Sequence, residues 1–457
     1  MLRRVNRVLI ANRGEIALRI IKACRNTGKT SILAYSKADK NTIPVEEADE
    51  SICIGPPPAQ QSYLSIPALL TAARLTMADG IHPGYGFLSE NGTFARLCEE
   101  RGLIFIGPRA ETIWEMGDKA RARSLMKSVG VPVIPGSDGI IHSEEEGLEA
   151  ARRIGYPVLI KASAGGGGKG MREADNEEEL KKNMKEASTE ALKAFSNGDI
   201  YLERFFRKVH HVEVQIMADR EGHVAALGER DCSSQRNHQK MIEESPSPIM
   251  DEALRQQMEE AAKKAARASN YVGAGTVEFI VTPDRDFYFM EMNTRIQVEH
   301  GVTEEATGTE LVETMIRIAD GESLPWKEDL TPHGWTMECR INAENPFRGF
   351  APSPGRLLTF EVPKGEGIRV DTAMRRGAEI SPFYDSMIAK LIVHDDTREK
   401  TRKKMKEALS AFHIEGVSTN IPLQKAIISS KAFAEGEVDT TYVERHLKEF
   451  LQSAENG

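Results

Sequence analysis

Short apolar runs alternate with stretches of helical periodicity over the first quarter of the chain. A helical stretch, EIALRIIKACRNTG, follows the first of these runs. The strand-like runs are VLIA (8–11), SILAYS (31–36), ESICIG (50–55), GIHP (80–83) and IFIG (104–107). This βαβ rhythm predicts a parallel sheet over residues 1–117.

From residue 118 the pattern changes to one helix followed by a compact unit rich in short strands. The helical stretch DKARARSLMKSVG ends at a glycine, and residues of about 135–206 then surround a run of glycines. The middle of this unit, 176–195, is charged and helical, and Pro-Gly and Arg-Phe-Phe junctions lie at its two ends. We therefore expect residues 135–206 to act as a mobile lid.

Antiparallel strands and one long helix are predicted for residues 207–333. A third unit, 334–450, begins with the strand WTMECRINAE and ends in helices, and 451–457 is expected to be a frayed tail. The pattern predicts three domains of mixed α/β and α+β class: a parallel-sheet domain (1–117), a central domain with the lid (118–333) and a mixed α/β domain (334–450).

Two acidic strand ends face each other in a predicted hairpin. Glu278 lies within the apolar run TVEFIV, while Glu291 and Asn293 follow the run FYFM in the polar segment EMNTRIQVEH. If the hairpin is centred between Asp284 and Arg285, Glu278 lies opposite Glu291. Opposed like charges destabilise a sheet, so we expect a cation between them, and oxygen ligands favour Mg²⁺ or Mn²⁺. The alternative is an ordinary hairpin with solvated acids.

A glycine-rich segment, KASAGGGGKGM, follows the apolar run YPVLI. Gly165 to Gly168 leave backbone N–H groups free to surround phosphate oxygens, and Lys161 and Lys169 can meet phosphate charge. The segment matches neither the Walker motif nor the dinucleotide fingerprint. It predicts a phosphate-binding loop, with a flexible linker as the alternative.

Polar side chains also recur on other predicted strands. Alternation in HHVEVQIMAD places His211, Glu213 and Gln215 on one face, where a satisfied core histidine is the alternative. YLERFF offers Glu203 beside an aromatic pair, although a plain strand and turn would look the same.

The segment GERDCSSQRNHQKMIEE is dense in hydrogen-bond donors. We expect Gln235, His238 and Lys240 to lie on a loop, because loops placed on a rigid sheet often carry function. An ordinary surface loop is the alternative.

Composition narrows the class of protein. The net charge of −9 and the absence of basic blocks interleaved with aromatics argue against nucleic-acid binding; the mixed-sign run 398–409 reads as a solvated helix. Five cysteines without CxxC spacing indicate a reducing compartment and no zinc site. No apolar run approaches the roughly 18 residues of a membrane span, and the N-terminal run is too short for a signal peptide. We expect a cytoplasmic protein, with a transit peptide as the alternative.

The combination of these motifs resembles the ATP-grasp fold, and the fuller set resembles the biotin carboxylase component of biotin-dependent carboxylases. The matching segments are VLIANRGEIALRI (8–20), IHPGYGFLSEN (81–91), MGDK (116–119), KASAGGGGKGM (161–171), HVEVQIMAD (211–219), ERDCSSQRNHQK (229–240), EMNTRIQVEH (291–300), ECRINAE (338–344) and PFYDSMIAKLI (382–392). One departure is visible: the family usually continues EHPVTE, whereas this chain has EHGVTE, and we expect Gly301 to loosen the adjacent loop.

The resemblance implies ligands for particular residues. ATP would be bound by Lys119, Lys161, Gly165, Gly166, Gly167, Gly168, Glu203, Arg204, Phe206, His211, Gln235, His238, Glu278 and Glu291, and the metal, Mg²⁺ or Mn²⁺, by Glu278, Glu291 and Asn293. Bicarbonate would be bound by Lys240, Arg295, Gln297, Val298 and Glu299, and biotin by Tyr85, Gly86, Gln297 and Arg340. The implied catalytic residues are Glu299, Arg295, Lys240 and Arg340.

The implied reaction begins when Glu299 deprotonates bicarbonate, which attacks ATP to give carboxyphosphate and ADP. Carboxyphosphate then releases CO₂, its phosphate takes the ureido proton of biotin, and Arg340 stabilises the biotin enolate. Burial raises the pKa of a base such as Glu299, whereas Arg295 and Lys240 lower it, and the sequence does not fix the net sign.

The chain carries no Met-Lys-Met biotinylation motif. The resemblance therefore implies a separate subunit, commonly a homodimer, that works with a biotin carboxyl carrier protein and a carboxyltransferase. The acceptor, acetyl-CoA, propionyl-CoA or pyruvate, is not readable from this chain. Two competing classes are an amide-forming ATP-grasp ligase and a non-catalytic ATP-binding module. Loss of a metal acid or of Lys161 would indicate the module, and neither is lost.

Overall fold

The structure, a computed structural model, describes residues 4–162, 171–195 and 198–456. The predicted phosphate-binding glycines, Gly165 to Gly168, and Lys169 lie outside the described residues. Within the described ranges, no helix combines the length and the apolar character needed to cross a bilayer.

Five parallel strands form the first sheet, in the order β3-β2-β1-β4-β5. Its elements are β1 (Arg7–Ile10), α1 (Gly14–Asn26), β2 (Thr30–Ser36), α2 (Ile43–Glu47), β3 (Glu50–Gly55), α3 (Ile66–Leu75), β4 (Gly80–His82), α4 (Gly92–Glu100), β5 (Ile104–Phe105) and α5 (Ala110–Gly117). Val8 and Ile10 pack on one face with Ile16 of α1, whereas Leu9 packs on the other with Phe94 of α4. Because both faces are covered, the strand reads as a continuous apolar run, and the predicted parallel sheet is confirmed.

A separate sheet of three short antiparallel strands follows, in the order β7-β6-β8. The elements of this region are α6 (Lys119–Ser128), α7 (Glu144–Ile154), β6 (Val158–Ala162), β7 (Met171–Ala174), α8 (Glu177–Phe195) and β8 (Ile200–Arg204). The small sheet has its own apolar core, in which Val158, Ile160 and Leu202 pack against Leu180 and Ala187 of α8. A unit with its own core can move as one body, but closure as a lid stays a prediction.

Eight antiparallel strands form the largest sheet, in the order β13-β12-β9-β10-β11-β14-β21-β19. The elements that precede β14 are β9 (His210–Ala218), β10 (Val224–Arg236), β11 (Gln239–Ser245), α9 (Glu252–Ala268), β12 (Gly273–Val281), β13 (Phe287–Asn293), α10 (His300–Thr307) and α11 (Leu311–Ala319). Alanines of α9, among them Ala262 and Ala266, pack closely against Val214 and Ile216 of β9. Three strands from beyond residue 334 complete this sheet, so it is continuous across the expected domain boundary.

The donor-rich segment expected to be a loop is instead the hairpin β10–β11, in which Gln235 pairs with Lys240. Asn237 and His238 form its turn, both with positive φ (47° and 61°), as the turns of tight hairpins require. Polar residues of these strands are buried because groups nearby pair with them; Ser247 Oγ, just beyond β11, donates to Asp231 at 2.7 Å. Polarity alone therefore gave the wrong structure for this segment.

The C-terminal region packs helices on the far end of the large sheet. Its elements are β14 (Trp335–Asn342), β15 (Glu344–Asn345), β16 (Ala351–Pro352), β17 (Gly355–Arg356), β18 (Thr359–Glu361), β19 (Ile368–Asp371), β20 (Glu379–Ile380), β21 (Met387–Asp395), α12 (Arg398–Ser410), β22 (His413–Glu415), α13 (Ile421–Ser429), α14 (Lys431–Glu435), α15 (Tyr442–Arg445) and α16 (Leu447–Asn456). The expected frayed tail is helical through residue 456, because Phe450 is buried and Leu451 and Ala454 pack on the same core.

Candidate active site

A cleft of about 1570 Å³ lies between the small sheet, the large sheet and the N-terminal domain. The predicted site residues that line it are Tyr85, Gly86, Lys161, Glu203, Arg204, Phe206, His211, Gln235, His238, Lys240, Glu278, Glu291, Asn293, Arg295, Gln297, Val298, Glu299 and Arg340. Lys119 is not part of the lining; its side chain is 84% exposed. Residues scattered over the sequence are thus brought to one place.

The β12–β13 hairpin places its two acids opposite each other, as expected: Glu278 pairs with Glu291 in the ladder. The expected turn centre is wrong, however, because the strand ends are in a different register, with Phe279 opposite Phe289. A bulge between Glu278 and Phe279 leaves Met290 as the extra residue and restores the pairing of the acids.

The two acids of this hairpin differ in environment. Glu278 is buried and accepts hydrogen bonds from Lys240 Nζ at 2.9 Å and Gln297 Nε2 at 2.8 Å, and His211 Nε2 lies 3.1 Å from its other oxygen. Burial raises the pKa of Glu278, but Lys240 and then His211 outweigh burial and hold it well below its usual value. Glu291 is 43% exposed, and its nearest cation is Lys119 Nζ at 3.7 Å.

Lys240 is the centre of the buried charge cluster. Its ammonium donates to Glu213 at 2.6 Å, Glu278 at 2.9 Å and Glu299 at 2.7 Å, which uses all three N–H groups. Burial lowers the pKa of Lys240, but the surrounding carboxylates raise it well above its usual value. This lysine is therefore a fixed positive charge inside the cleft.

Glu299 lies directly before α10, between Lys240 and Arg340. Arg340 Nη2 donates to Glu299 at 2.9 Å and also binds Glu243 at 2.6 Å. Burial raises the pKa of Glu299, but Lys240, Arg340 and Arg230 outweigh it, so the net pKa is well below the usual value. The carboxylate is thus ionised, which is the form that a base needs.

Arg295 lies at the edge of the same cleft. Its Nε donates to Glu90 Oε2 at 2.8 Å, and its Nη2 donates to Asn293 Oδ1 at 2.6 Å. The other amide atom of Asn293, Nδ2, is buried without a hydrogen-bond partner among the described residues. An unsatisfied buried amide indicates a polar ligand at this point.

The small sheet and its junction form the side of the cleft to which the resemblance assigns the nucleotide. Glu203 accepts from Lys161 Nζ at 2.6 Å and is also bound by Arg123, a residue that the sequence reading did not select. Phe206 stacks on Tyr288 with ring centroids 5.1 Å apart, which places an aromatic wall beside these charges. His238 is exposed at the tip of its hairpin.

Arg230 was missed entirely by the sequence reading, although it is one of the largest fully buried side chains. Its guanidinium donates to Glu213 at 2.7 Å, Gln215 at 2.8 Å and Gln297 at 2.8 Å. A signal was available: a buried strand face carrying Glu213 and Gln215 needs a cation on the neighbouring strand. Arg230 therefore holds Glu213, Gln215 and Gln297 in place beneath the cleft.

Two donor sets could hold a divalent cation. His211, Glu213 and Glu278 have ligand atoms within 4.8 Å of one another, but Lys240 already binds both of these carboxylates. An ammonium at that point repels a second cation. Glu278, Glu291 and Asn293 also line the cleft, and oxygen donors of this kind suit Mg²⁺ or Mn²⁺ bound with phosphates; of the three, only Glu291 is not already bound by Lys240 or Arg295.

Gly301 lies in the first turn of α10, two residues after Glu299. A Cβ atom at this position would overlap the Cδ1 atom of Ile392 and lie 3.5 Å from Glu338 Oε2. The space beside Gly301 is therefore filled by a side chain of β21, and the residue is buried rather than part of a loose loop.

Family models cover most of the chain. Residues 4–113 match the biotin carboxylase N-terminal domain, 118–327 match the ATP-binding domain of the carbamoyl-phosphate synthase L chain, and 338–445 match the biotin carboxylase C-terminal domain. Fold and site therefore define a three-domain ATP-dependent ligase.

Individual relatives agree with these matches. Biotin carboxylase 1 of Bacillus subtilis is 51% identical over 97% of this chain and 99% of its own length. A solved biotin carboxylase from Campylobacter jejuni, in complex with β,γ-ATP, superposes with a TM-score of 0.90 at 45% identity over 97% of this chain and 99% of that one.

The biotin carboxylase domain dimer of the Hydrogenobacter thermophilus 2-oxoglutarate carboxylase, in complex with MgADP, ADP and bicarbonate, superposes with a TM-score of 0.89 at 47% identity, over 98% of this chain and 99% of that one. The chain belongs to the biotin carboxylase family. The resemblance seen in the sequence, and the ATP-dependent ligase it implied, are confirmed.

Proposed function

We propose that this chain carboxylates biotin held by a carrier protein, using ATP and bicarbonate, as the first half-reaction of a biotin-dependent carboxylase. The observation that carries the proposal is the buried group Lys240–Glu299–Arg340, which lies between the nucleotide side of the cleft and Tyr85. A base held between two cations suits a reaction that deprotonates one anion and then passes a carboxyl group to a second acceptor.

ATP binds on the side of the small sheet in this proposal. Its ligands are Lys119, Lys161, Gly165 to Gly168, Glu203, Arg204, Phe206, His211, Gln235, His238, Glu278 and Glu291. Glu278, Glu291 and Asn293 hold Mg²⁺ or Mn²⁺, which when bound neutralises phosphate charge. Closure of residues 135–206 brings Lys161 to the phosphates and excludes water.

Bicarbonate binds between Lys240, Arg295, Gln297 and the amide of Val298. Glu299 takes its proton, and a bicarbonate oxygen attacks the γ-phosphorus of ATP while the bond to the β-phosphate oxygen breaks. The products of this step are carboxyphosphate and ADP, and Glu299 then passes the proton to solvent and returns to its ionised form.

Biotin enters along Tyr85 and Gly86 and contacts Gln297 and Arg340. Carboxyphosphate breaks into CO₂ and phosphate, the phosphate takes the ureido proton of biotin, and the nitrogen attacks CO₂. Arg340 stabilises the enolate that develops on the ureido oxygen, because a guanidinium fixed by Glu243 and Glu299 needs no reorganisation when charge appears.

The proposed domains are 1–117, 118–333 with its lid, and 334–450, and the proposed setting is the cytoplasm. The proposed partners are a biotin carboxyl carrier protein, a carboxyltransferase and a second copy of this chain. A dimer is supported by the Hydrogenobacter thermophilus relative, whose structure is a dimer of biotin carboxylase domains. The acyl acceptor of the holoenzyme, acetyl-CoA, another acyl-CoA or pyruvate, is chosen by the partner.

The test is ADP formation by the purified chain with and without bicarbonate, and with and without free biotin. We expect bicarbonate-dependent cleavage that free biotin stimulates, together with transfer of labelled bicarbonate to biotin. ATP cleavage that ignores bicarbonate and biotin but responds to an amine would contradict the proposal and indicate an amide-forming ligase.

A further inference from the structure

Lys390 is fully buried in the middle of β21 and faces Arg340 across the ladder. It does not line the cleft. Its ammonium donates to the carbonyl oxygen of Val298 at 2.8 Å and lies 3.3 Å from Glu15 Oε1 and 3.6 Å from Asp371 Oδ2. Lys390 thus makes one hydrogen bond and two ion-pair contacts, and its three partners come one from each proposed domain of the chain.

We propose that Lys390 is a positioning residue that sets the bicarbonate-binding loop, Gln297–Glu299, through its backbone. The inference rests on the function proposed above. It assigns no contact between Lys390 and substrate, and the effect passes through the carbonyl group of Val298.

Peptide planarity explains how one hydrogen bond to a carbonyl group can fix the orientation of the backbone in this loop. In a trans peptide the carbonyl oxygen and the following N–H point in opposite directions. Lys390 holds the carbonyl of Val298, which fixes the plane that ends at Glu299. His300 Nδ1 donates to the carbonyl of Gln297 at 2.7 Å, which fixes the plane that carries the Val298 N–H.

The two buried donors therefore hold two consecutive peptide planes. Burial lowers the pKa of His300 well below its usual value, so the ring is neutral, and the carbonyl partner requires the proton on Nδ1. The Val298 N–H must then point away from His300, on the side that the cleft occupies. The backbone N–H of His300 also donates to the carbonyl of Gln297, at the longer distance of 3.3 Å, so loss of the ring donor would weaken the hold on that plane, and loss of Lys390 would remove the side-chain donor of the Val298 carbonyl.

The ion-pair contact between Lys390 and Glu15 connects this lysine to the side of the cleft that is proposed to bind biotin. Glu15 accepts a hydrogen bond from the hydroxyl of Tyr85, and both residues line the cleft. Burial lowers the pKa of Lys390, but Glu15 opposes it, and the net pKa is raised. Lys390 thus stays charged and ties the orientation of Tyr85 to that of the Gln297–Glu299 loop.

The test compares Lys390→Met with Lys29→Met. Lys29 forms a half-buried ion pair with Asp320 that also joins two domains, but it does not line the cleft and contacts nothing in it. For Lys390→Met we expect KM for bicarbonate to rise about tenfold or more, as for loss of one charge-assisted hydrogen bond. KM for ATP should stay within about twofold, since the nucleotide side is untouched, and KM for biotin should rise. Lys29→Met should lower only the melting temperature.

His300 supplies an independent variant if Lys390→Met fails to fold. Asn places an amide N–H near the position of Nδ1, so His300→Asn should keep KM for bicarbonate, whereas His300→Leu should raise it about tenfold. Equal bicarbonate KM values in all folded variants, or parallel rises for ATP and bicarbonate, would overturn the inference. Absence of bicarbonate-dependent ATP cleavage in the wild-type chain would instead contradict the proposed function.

Discussion

The two sides of the cleft use the same residue types in opposite ways. On the large sheet, Lys240 is 12% exposed and bonds three carboxylates. On the nucleotide side, Lys119 is 84% exposed and has one acid, Glu291, at 3.7 Å. The charges around Lys240, in the half of the site proposed to bind bicarbonate, are therefore fully paired, whereas Lys119, which is proposed to bind the nucleotide, has only a distant partner; Lys161 and Glu203 on that side are paired with each other.

Physical chemistry explains the difference. A buried charge without a partner costs several kcal/mol, so every buried charge near Lys240 must be paired and hydrogen-bonded for the chain to fold. An exposed pair such as Lys119–Glu291 contributes about 0–1 kcal/mol and is screened by salt. Variants of the buried charges around Lys240 should consequently affect both stability and catalysis, whereas variants of the exposed Lys119–Glu291 pair should affect catalysis alone.

The largest effect is expected for Glu299→Gln. The variant keeps the shape of the side chain but has no basic oxygen, so bicarbonate-dependent ADP formation should fall about 10²–10⁴-fold, the range for loss of a general base. KM for ATP should change little. Steady-state kinetics at saturating bicarbonate provide the measurement.

A matched control is Glu229→Gln. Glu229 lies on β10 of the large sheet, is as buried as Glu299 and is paired with Arg255 at 2.8 Å, but it does not line the cleft. The Glu229→Gln variant should have a lower free energy of unfolding than the wild type but the same rate of bicarbonate-dependent ADP formation. If Glu299→Gln also keeps near-wild-type bicarbonate-dependent turnover, another residue must be the base.

Arg340→Met should abolish transfer of labelled bicarbonate to biotin and leave part of the bicarbonate-dependent ATP cleavage. Arg340 lowers the pKa of Glu299, so its removal raises that pKa. Protonated Glu299 cannot act as a base, and the acid-side fall of ATP cleavage should therefore move to higher pH. A pH profile that is unchanged from wild type would show that Arg340 does not act on Glu299.

Glu291→Gln and Glu278→Gln compare an exposed acid with a buried, paired acid within one hairpin. Glu291→Gln should nearly abolish Mg²⁺-dependent ATP cleavage without a change in melting temperature, because its carboxylate is exposed. Glu278→Gln should lower stability by about 1–3 kcal/mol and raise KM for bicarbonate, since Lys240 loses one charged partner. Metal titrations and thermal melts distinguish the two; equal losses of stability would remove the proposed asymmetry.

The smallest effect is expected for hydrogen exchange. MgATP should slow exchange in β6, β7 and β8 and leave β9 and β12 almost unchanged, because only the small sheet and its core are expected to move. Exchange measured with and without MgATP over residues 158–162 and 171–195 provides the test. Equal exchange in both states would indicate a static unit.

Periodicity was sufficient for the architecture, because strands covered on both faces, such as β1, give continuous apolar runs. It was also sufficient for the pairing of Glu278 with Glu291, although the bulge at Met290 compensated for a misplaced turn. Lys390 could not be found by such patterns, since it is one charged residue within the apolar run MIAKLIV, and the signal for Arg230 lay on the neighbouring strand rather than on its own. Their importance comes from long-range partners: Gln297, bound by Arg230, is 67 positions away, and Val298, bound by Lys390, is 92.

The β10–β11 hairpin shows a second limit of sequence patterns, because here the polar residues were noticed but their structure was predicted wrongly. Polar residues usually indicate a surface loop, but Asp231 is buried because the N–H of Ser233 and the hydroxyl of Ser247 donate to its carboxylate. A sequence alone does not show which polar residues will find one another. The sign of the Glu299 pKa shift was open for the same reason: Arg230 and Arg340, two of the three cations that decide it, were not among those considered for that shift.

The most direct test of the proposed chemistry follows oxygen atoms. Bicarbonate labelled with ¹⁸O should pass one labelled oxygen to phosphate for each ADP formed, because its oxygen attacks the γ-phosphorus and the carboxyphosphate C–O bond then breaks. Phosphate analysed by mass spectrometry should carry this single label in the wild-type reaction. Unlabelled phosphate formed at the full rate of ADP release would show that water, and not bicarbonate, attacks ATP, and would contradict the account.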